Sequence, residues 1–553
     1  MRQQLVPQPT APTPVRRPAP PPARGSRLFY AVLIVLGILV VAYAAYSEFQ
    51  ASRLQARYFS GIARDMKFVV EPGASASIRF PQSGPYDQRL GYSELPAFLK
   101  RLQAKGYEID SQARVTNKLG NLIEAGYAPP YGEKTQAGLK VMDCRREALF
   151  DFNYPERAYK DFAAIPTSVV QSLLFIENRE LLDATYPTRN PAVEWSRLGR
   201  AVMSQFMKVV DSEYDAPGGS TLATQIEKYR HSPSGVTGSV FDKLRQMYSA
   251  TLRAYSDGPD TSGARRRIVL EYLNTVPFAA AAEYGEVTGL GDGLWAWFGA
   301  DFKAVNEALM RPPATAGREL NEQARAYRQV LSLLIAQRRP TWFLGSGREQ
   351  LAGLTDSYIR LAAGADIITP ELRDAALETK LAFRDQGGGV APRAYVRSWK
   401  GAVAVRNRLA STLETPRLYD VDRLDVTATS TLDAEMQDAV TGMLKRLQDR
   451  DYVKTTNLGE SRMLGAADPS AVLYTFTLFE RGKDANYVRV QTDNSSQPFD
   501  TNEGAKLELG STAKLRTLAT YLDIISSLHE HYAEQPAKAL RAVEVDQRDR
   551  LTR

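Results

Sequence analysis

Cysteine and histidine are nearly absent from this chain of 553 residues, which carries one Cys, Cys144, and three His, His231, His529 and His531. A lone thiol excludes an intrachain disulfide, and histidines so placed give no zinc pattern, which leaves carboxylates as the candidate ligands for a metal. Acid is missing from residues 1–27, where Arg2, Arg16, Arg17, Arg24 and Arg27 alternate with prolines. No motif for RNA or DNA binding occurs. The net charge of +7 sits largely in that tail and a few helices, which is not the footprint of a nucleic-acid surface. Long uncharged apolar runs are lacking too, with one exception at residues 28–46.

That exception organises the topology. As a helix it measures about 28 Å, enough to cross a hydrocarbon core. Arginines precede it and Glu48 follows it, so the positive-inside rule places residues 1–27 in the cytoplasm and the bulk of the chain outside. Ala42-Tyr43-Ala44 fits a cleavage pattern, but the long apolar run and long leading segment favour a retained single-pass anchor. A chain of this length exceeds one ordinary core. The expected parts are an extended proline-rich tail (1–27), the anchor (28–46), a helical stalk (47–66) and a small α/β module (67–150). They continue with a mainly helical region (162–383), a linker (384–424) and a C-terminal α/β part (425–553).

In the module, alternation predicts strands at 68–70, 77–80, 107–110 and 137–144 and a helix over 93–105 capped by Ser93. Nothing there has the pattern of a catalytic site, and an interaction or spacer role is expected. Residues 196–210 place Leu198, Val202, Phe206 and Val210 on one helical stripe with Arg197, Arg200 and Lys208 at its edges. Such a helix suits a core or a lipid headgroup layer. Past Gly387 to Gly389, residues 395–424 read as a connection, 425–431 as a strand, 432–449 as a helix, and 471–480 with 487–491 as a hairpin.

Two stretches carry candidate chemistry. Residues 218–229 read G-G-S-T-L-A-T-Q-I-E-K-Y: glycines for a turn, Ser220 as a cap, Leu222 and Ile226 for a core, and Thr221, Gln225 and Lys228 on another side. A helix N-terminus so furnished suits an anion such as a pyrophosphate. Later, Ser511 and Lys514 stand three apart at the opening of a helix, a spacing that sets an amine beside a hydroxyl.

Taken in order, these stretches resemble a class A penicillin-binding protein, with residues 162–383 similar to the family 51 peptidoglycan glycosyltransferase domain. Ile176-Glu177-Asn178-Arg179 is similar to the family's E-D opening, and residues 218–229 to its G-x-S-T-x-x-Q-Q-x-x-K-N motif. Residues 243–250 are similar to its R-K-x-x-E helix, 267–274 to I-L-E-x-Y-L-N, and 291–299 to the motif ending W-F-G. The resemblance implies a multidomain fold: one N-terminal transmembrane helix, the small α/β module, a mainly α lysozyme-like glycosyltransferase domain, and an incomplete α/β transpeptidase-like C-terminal part. It also implies polymerisation of lipid II at the outer face of the cytoplasmic membrane, with Glu177 as general base. Ser220, Thr221, Gln225 and Lys228 would line the donor and diphosphate site, with Lys243 and Arg245 near the phosphates. Ser511 would be a nucleophile and Lys514 its base.

The chain also departs from the family. Asn178 stands for aspartate, Thr224 for glutamine, Tyr229 for asparagine and Asp242 for arginine, and Glu271 lies one residue off register. Gln246 falls where the second glutamate belongs, so a carboxylate is replaced by a neutral amide. Neither S-x-N nor K-T-G follows Ser511, so no transpeptidation is expected of the chain as it stands, and truncation of a longer protein is the simpler account. The expected function is therefore a peptidoglycan glycosyltransferase of full or reduced activity. The alternative is a non-catalytic lipid II-binding or scaffold protein. A glycan hydrolase is a weaker third reading, since it needs a second well-placed carboxylate. The implied partners are lipid II, the growing glycan strand, the membrane and other cell-wall synthesis proteins, with no nucleic acid. The family admits a divalent cation such as Mg2+, for which the sequence supplies no ligand set.

Overall fold

The computed structural model describes residues 24–195, 220–384, 393–459, 467–506, 508 and 510–552. The tail through residue 23, the basic stripe at 196–210, Gly218, Gly219 and the glycines at 387–389 lie outside the described residues. The chain is mostly helical with small sheets. It divides into two units: residues 1–141, 150–396 and 406–428 form the first, and 142–149, 397–405 and 429–553 the second.

The first unit begins with helix α1 (Arg24–Ala51), of which Phe29–Ala51 has a mean hydropathy of 2.4 and is long and apolar enough to cross a membrane. Ser52 breaks the helix with φ 52°. Glu48 then accepts from the backbone N–H groups of Leu54 (2.9 Å) and Gln55 (3.0 Å), so one carboxylate caps the start of α2 (Arg53–Arg64). The expected stalk is packed rather than free: α2 buries Ala56, Ser60 and Ala63, and its Phe59 meets the rings of Tyr248 and Tyr255. Thr188 donates to the Ala51 carbonyl at 2.6 Å and Arg189 to that of Gln50 at 3.0 Å, which ties the end of α1 to the helical region.

Strand β1 (Phe68–Pro72) pairs antiparallel with β2 (Ser111–Val115). Two strand expectations are corrected. Residues 77–80 form no strand, because the Ser77 hydroxyl takes the Val115 N–H at 3.0 Å from outside the ladder. The strand expected at 107–110 starts later, because the Tyr107 N–H closes the preceding helix onto the Leu102 carbonyl at 3.1 Å. That helix spans Leu95–Ala104, with Glu94 rather than Ser93 at its cap position. Strands β3 (Leu139–Met142), β4 (Ala148–Asp151), β7 (Tyr395–Val396) and β8 (Val426–Thr429) make a sheet in the order β7-β4-β3-β8, most of it in this unit. Strands β5 (Pro277–Ala281) and β6 (Gly285–Thr288) pair antiparallel. The stretch 395–424, read as a connection, contains the helices Trp399–Leu413 and Leu418–Arg423.

The core lies among α3 (Thr167–Glu177), α4 (Leu222–His231), α5 (Val240–Ala254), α6 (Ser262–Thr275) and α7 (Gly317–Ala336). Leu173, Leu222, Val269, Leu273 and Leu334 are fully or almost fully buried there. Each such side chain contributes roughly 1.5–3 kcal/mol on leaving water. Between α3 and α7 a dry hydroxyl pair, Ser172 with Tyr327 at 2.9 Å, fixes register. The glycine-rich run near 291–299 is architectural. Gly289 has φ 79°, and a Cβ there would lie 2.5 Å from the Asn274 carbonyl oxygen. Asp292, fully buried, accepts from the N–H groups of Glu156 (2.9 Å) and Arg157 (3.0 Å).

In the second unit, β9 (Thr475–Arg481) and β10 (Asn486–Asp493) form an antiparallel hairpin, as the sequence predicts. The Ala434–Arg446 helix is pinned to it by Gln437, whose amide exchanges hydrogen bonds with the Gln491 backbone at 2.6 and 3.0 Å. Helix α8 (Ala513–Tyr532) buries no side chain.

Candidate functional site

Helix α3 ends at Glu177, where the Asn178 N–H closes the last turn on Leu174 at 2.9 Å. Glu177 is buried, and donors from three directions meet its carboxylate. Gln225 on α4 donates to Oε2 at 2.9 Å, while Gln337, just past α7, donates to Oε1 at 2.8 Å. The Arg338 Nε lies 3.5 Å from the same Oε1. Tyr272 on α6 donates to the Gln225 Oε1 at 3.2 Å, which fixes the amide so that its NH2 faces Glu177. Burial, with the Glu177 charge behind it, pushes the Tyr272 phenol well up, so it stays a donor. The carboxylate at the end of α3 is thus met from α4 and from the segment just past α7, with α6 acting through Gln225.

The start of α4 differs from the sequence expectation in which residue caps it. Thr221, not Ser220, is the cap: its hydroxyl accepts from the Thr224 N–H at 3.3 Å, and the Thr224 hydroxyl accepts from the Thr221 N–H at 2.9 Å. Thr221 is buried in this box, so its side chain serves the helix rather than a ligand. Ser220 is left to accept from the Lys243 amine of α5 at 2.5 Å. Burial, with the charge of Lys228 beside it, pulls Lys243 down to about 8. Lys228, half-buried and one turn after Gln225, shares this face of α4. Ser220, Gln225, Lys228 and Lys243 are therefore brought to one region with Glu177.

Arg245 is not placed with them. Its guanidinium lies 6.0 Å from the Tyr127 ring and 3.9 Å from Asp242, because one residue along a helix turns a side chain to another face. Gln246 is buried and donates to the hydroxyls of Ser232 (2.8 Å) and Thr237 (3.0 Å), pinning the connection between α4 and α5. Glu271 is drawn to Arg230 at 3.2 Å. Asn178, where the family has aspartate, keeps a buried Oδ1 without a hydrogen-bond partner among the described residues.

No three His, Cys, Asp or Glu among the described residues are grouped to hold a metal ion. With Glu177 engaged by amide and guanidinium donors, and an amide at position 246, the described residues around Glu177 do not fit a divalent cation. In the second unit Ser511 lies in the short 3-10 turn Gly510–Thr512 and Lys514 at the start of α8. Both are exposed, and among the described residues no hydrogen bond joins them.

Sequence reasoning did not single out Gln337, Arg338 or Tyr272 as parts of the site. Tyr272 lies inside a quoted motif, whereas Gln337 and Arg338 lie outside all of them. Their only signal is a polar Gln-Arg-Arg run that follows the apolar end of a long amphipathic helix before Pro340.

The structure thus gathers a buried carboxylate oriented by amides, two lysines on the neighbouring helices and the Ser220 hydroxyl just before α4. Residues 146–318 match the family model described as Transglycosylase. This stretch is a glycosyltransferase family 51 transglycosylase domain of the kind found in class A penicillin-binding proteins. It holds Glu177 and all the residues gathered with it from α4, α5 and α6, but not Gln337 or Arg338. No curated protein matches the chain.

Proposed function

We propose that this chain is a peptidoglycan glycosyltransferase that polymerises lipid II into glycan strands at the outer face of the inner membrane. In this reading α1 is its single span, the N-terminus is cytoplasmic, and its rate is lowered by the amide at Gln246. The helical region would be lysozyme-like, and residues 425–553 transpeptidase-like. The observation that carries the reading is the Gln225 bridge to Glu177, because α4 then sets the candidate base and the cationic face of Lys228 and Lys243 in one frame.

The chemistry follows from these groups. The Glu177 carboxylate takes the proton of the acceptor sugar hydroxyl, whose oxygen bonds to the anomeric carbon of the donor. The bond from that carbon to the diphosphate oxygen breaks with inversion, and undecaprenyl diphosphate leaves with the electron pair. Lys228 and Lys243 meet the charge that accumulates on it. No step is routed through a metal. Because Arg338 is partly exposed and its contact is the longest, it is the donor that yields when Oε1 receives the proton.

A second reading, a lipid II-binding scaffold without turnover, draws on Gln246, whose amide is committed to Ser232 and Thr237. Incubating the purified full chain with lipid II and resolving the products separates the two. The transferase reading expects polymer from the natural chain, none from Glu177→Gln, and more from Gln246→Glu. A natural chain that binds lipid II without polymerising it, and gains polymerisation in Gln246→Glu, establishes the scaffold.

A further inference from the structure

Behind the face of α4 that carries Gln225 and Lys228 lies a buried group of charges that the proposed chemistry does not use. Its centre is Glu133, from the segment of the small α/β module that precedes β3, with a side chain only 7% exposed. Three cations converge on this one carboxylate. Arg230 of α4 donates at 3.1 Å, His231 at 2.9 Å, and Arg253 of α5 through two nitrogens at 2.9 and 3.3 Å. Each cation has a second acidic partner: Glu271 of α6 for Arg230 (3.2 Å), Asp87 for His231 (2.9 Å) and Glu227 of α4 for Arg253 (2.9 Å). Among the described residues, only Glu133 touches all three cations.

We propose that Glu133 is a positioning residue for the transfer site: by locking the end of α4 to α5, it holds Gln225 against the Glu177 carboxylate and Lys243 beside Ser220. The inference rests on the transferase reading and deepens it, giving a role to a module that the sequence marks only as a spacer or interaction part. Its physical basis is that α4 has two polar faces, one at the site and one on Glu133. A short helix held on both faces has little freedom to rotate or slide. In a dry interior, charge-assisted hydrogen bonds with this many partners tolerate little displacement. Removing the shared acceptor leaves three buried cations to rearrange around the remaining acids, and α4 shifts with them. Glu133 lies outside the matched 146–318 stretch, so the contact extends the machinery beyond the recognised domain.

The test uses the detergent-solubilised full chain carrying Glu133→Gln, which keeps shape and removes charge, and Glu133→Asp, which keeps charge and is the variant that folds if the first does not. Expected for Glu133→Gln is a fall in kcat for lipid II polymerisation of about tenfold or more, with KM within about twofold, and partial recovery in Glu133→Asp. A double-mutant cycle with Gln225→Ala is expected to be strongly non-additive, since a base already released by Gln225→Ala has little further to lose. Faster hydrogen exchange confined to α4 and α5, with α7 unchanged, is the readout independent of turnover. Additive effects on kcat, or unchanged exchange in α4, would overturn the proposal. A natural chain that makes no polymer sinks the transferase reading instead, and the exchange measurement then decides the positioning claim by itself.

Discussion

Burial and the neighbouring Lys228 bring the Lys243 amine down to about 8, so its charge is lost as pH rises through that value. If Lys243 meets the diphosphate as a cation, kcat/KM for lipid II, which reports the free enzyme, falls above pH 8. Lys243→Arg stays charged and is expected to remove that limb while the acidic side of the profile is unchanged. A limb that survives in Lys243→Arg assigns the titration to another group. His231 offers a test of the buried charge group through stability rather than rate. Burial pushes its imidazolium down, but Glu133 and Asp87 outweigh that and raise it from 6.5 to about 10. A folded-state value above the unfolded one means that the stabilisation is complete below about pH 6.5 and lost as pH rises through about 10. Unfolding midpoints of the full chain are expected to fall across that window, and His231→Gln to flatten the fall. Subtracting the two curves isolates His231 from other groups titrating there.

At the scale of elements, α4 is the best case for how much the sequence discloses. Its start, its core residues Leu222 and Ile226, and the side that carries Gln225 and Lys228 are all legible, because helical period and turn chemistry are local. The identity of the cap is not, since Ser220 and Thr221 are both good caps and the choice is decided by Thr224 reaching back and by Lys243 arriving from α5. The same division holds elsewhere. The β9–β10 hairpin reads directly from alternation, whereas β2 is displaced by a helix terminus that claims the Tyr107 N–H. Gln337 and Arg338 join the site only through the fold, as Glu133 joins the charge group behind α4, and no local pattern announces a residue whose partners are distant. The cap assignment has its own consequence. Thr221→Ala should cost about 1 kcal/mol of stability, read by thermal or denaturant unfolding, and Thr221→Ser almost none. KM should stay near the natural value in Thr221→Ser. A large rise in KM there would return Thr221 to the ligand.

On the scale of the whole molecule, the proposed lipid-linked substrate would meet the site at a membrane surface, and α1 is the one helix among the described residues long and apolar enough to cross it. α1 supplies a tether whose end is fixed by Glu48, Thr188 and Arg189 rather than left to swing. The start of α5, the helix that carries Lys243, exposes apolar side chains: Val240 is 75% and Phe241 78% exposed, with Leu244 also open and Val236 open in the segment just before it. Apolar side chains beside cations suit an interfacial helix, where buried methylenes add roughly 0.8 kcal/mol each and the cations meet anionic headgroups. Replacing Val240 and Phe241 by Asp should therefore leave polymerisation in detergent micelles close to that of the natural chain, since detergent delivers lipid II without a bilayer. In vesicles the same variant should show an apparent KM raised by about tenfold, because the site is no longer held at the depth of the diphosphate while α1 keeps the protein on the membrane. Equal losses in both media would mean that these residues act inside the fold, and no loss in vesicles would mean that α1 alone sets the depth of the site.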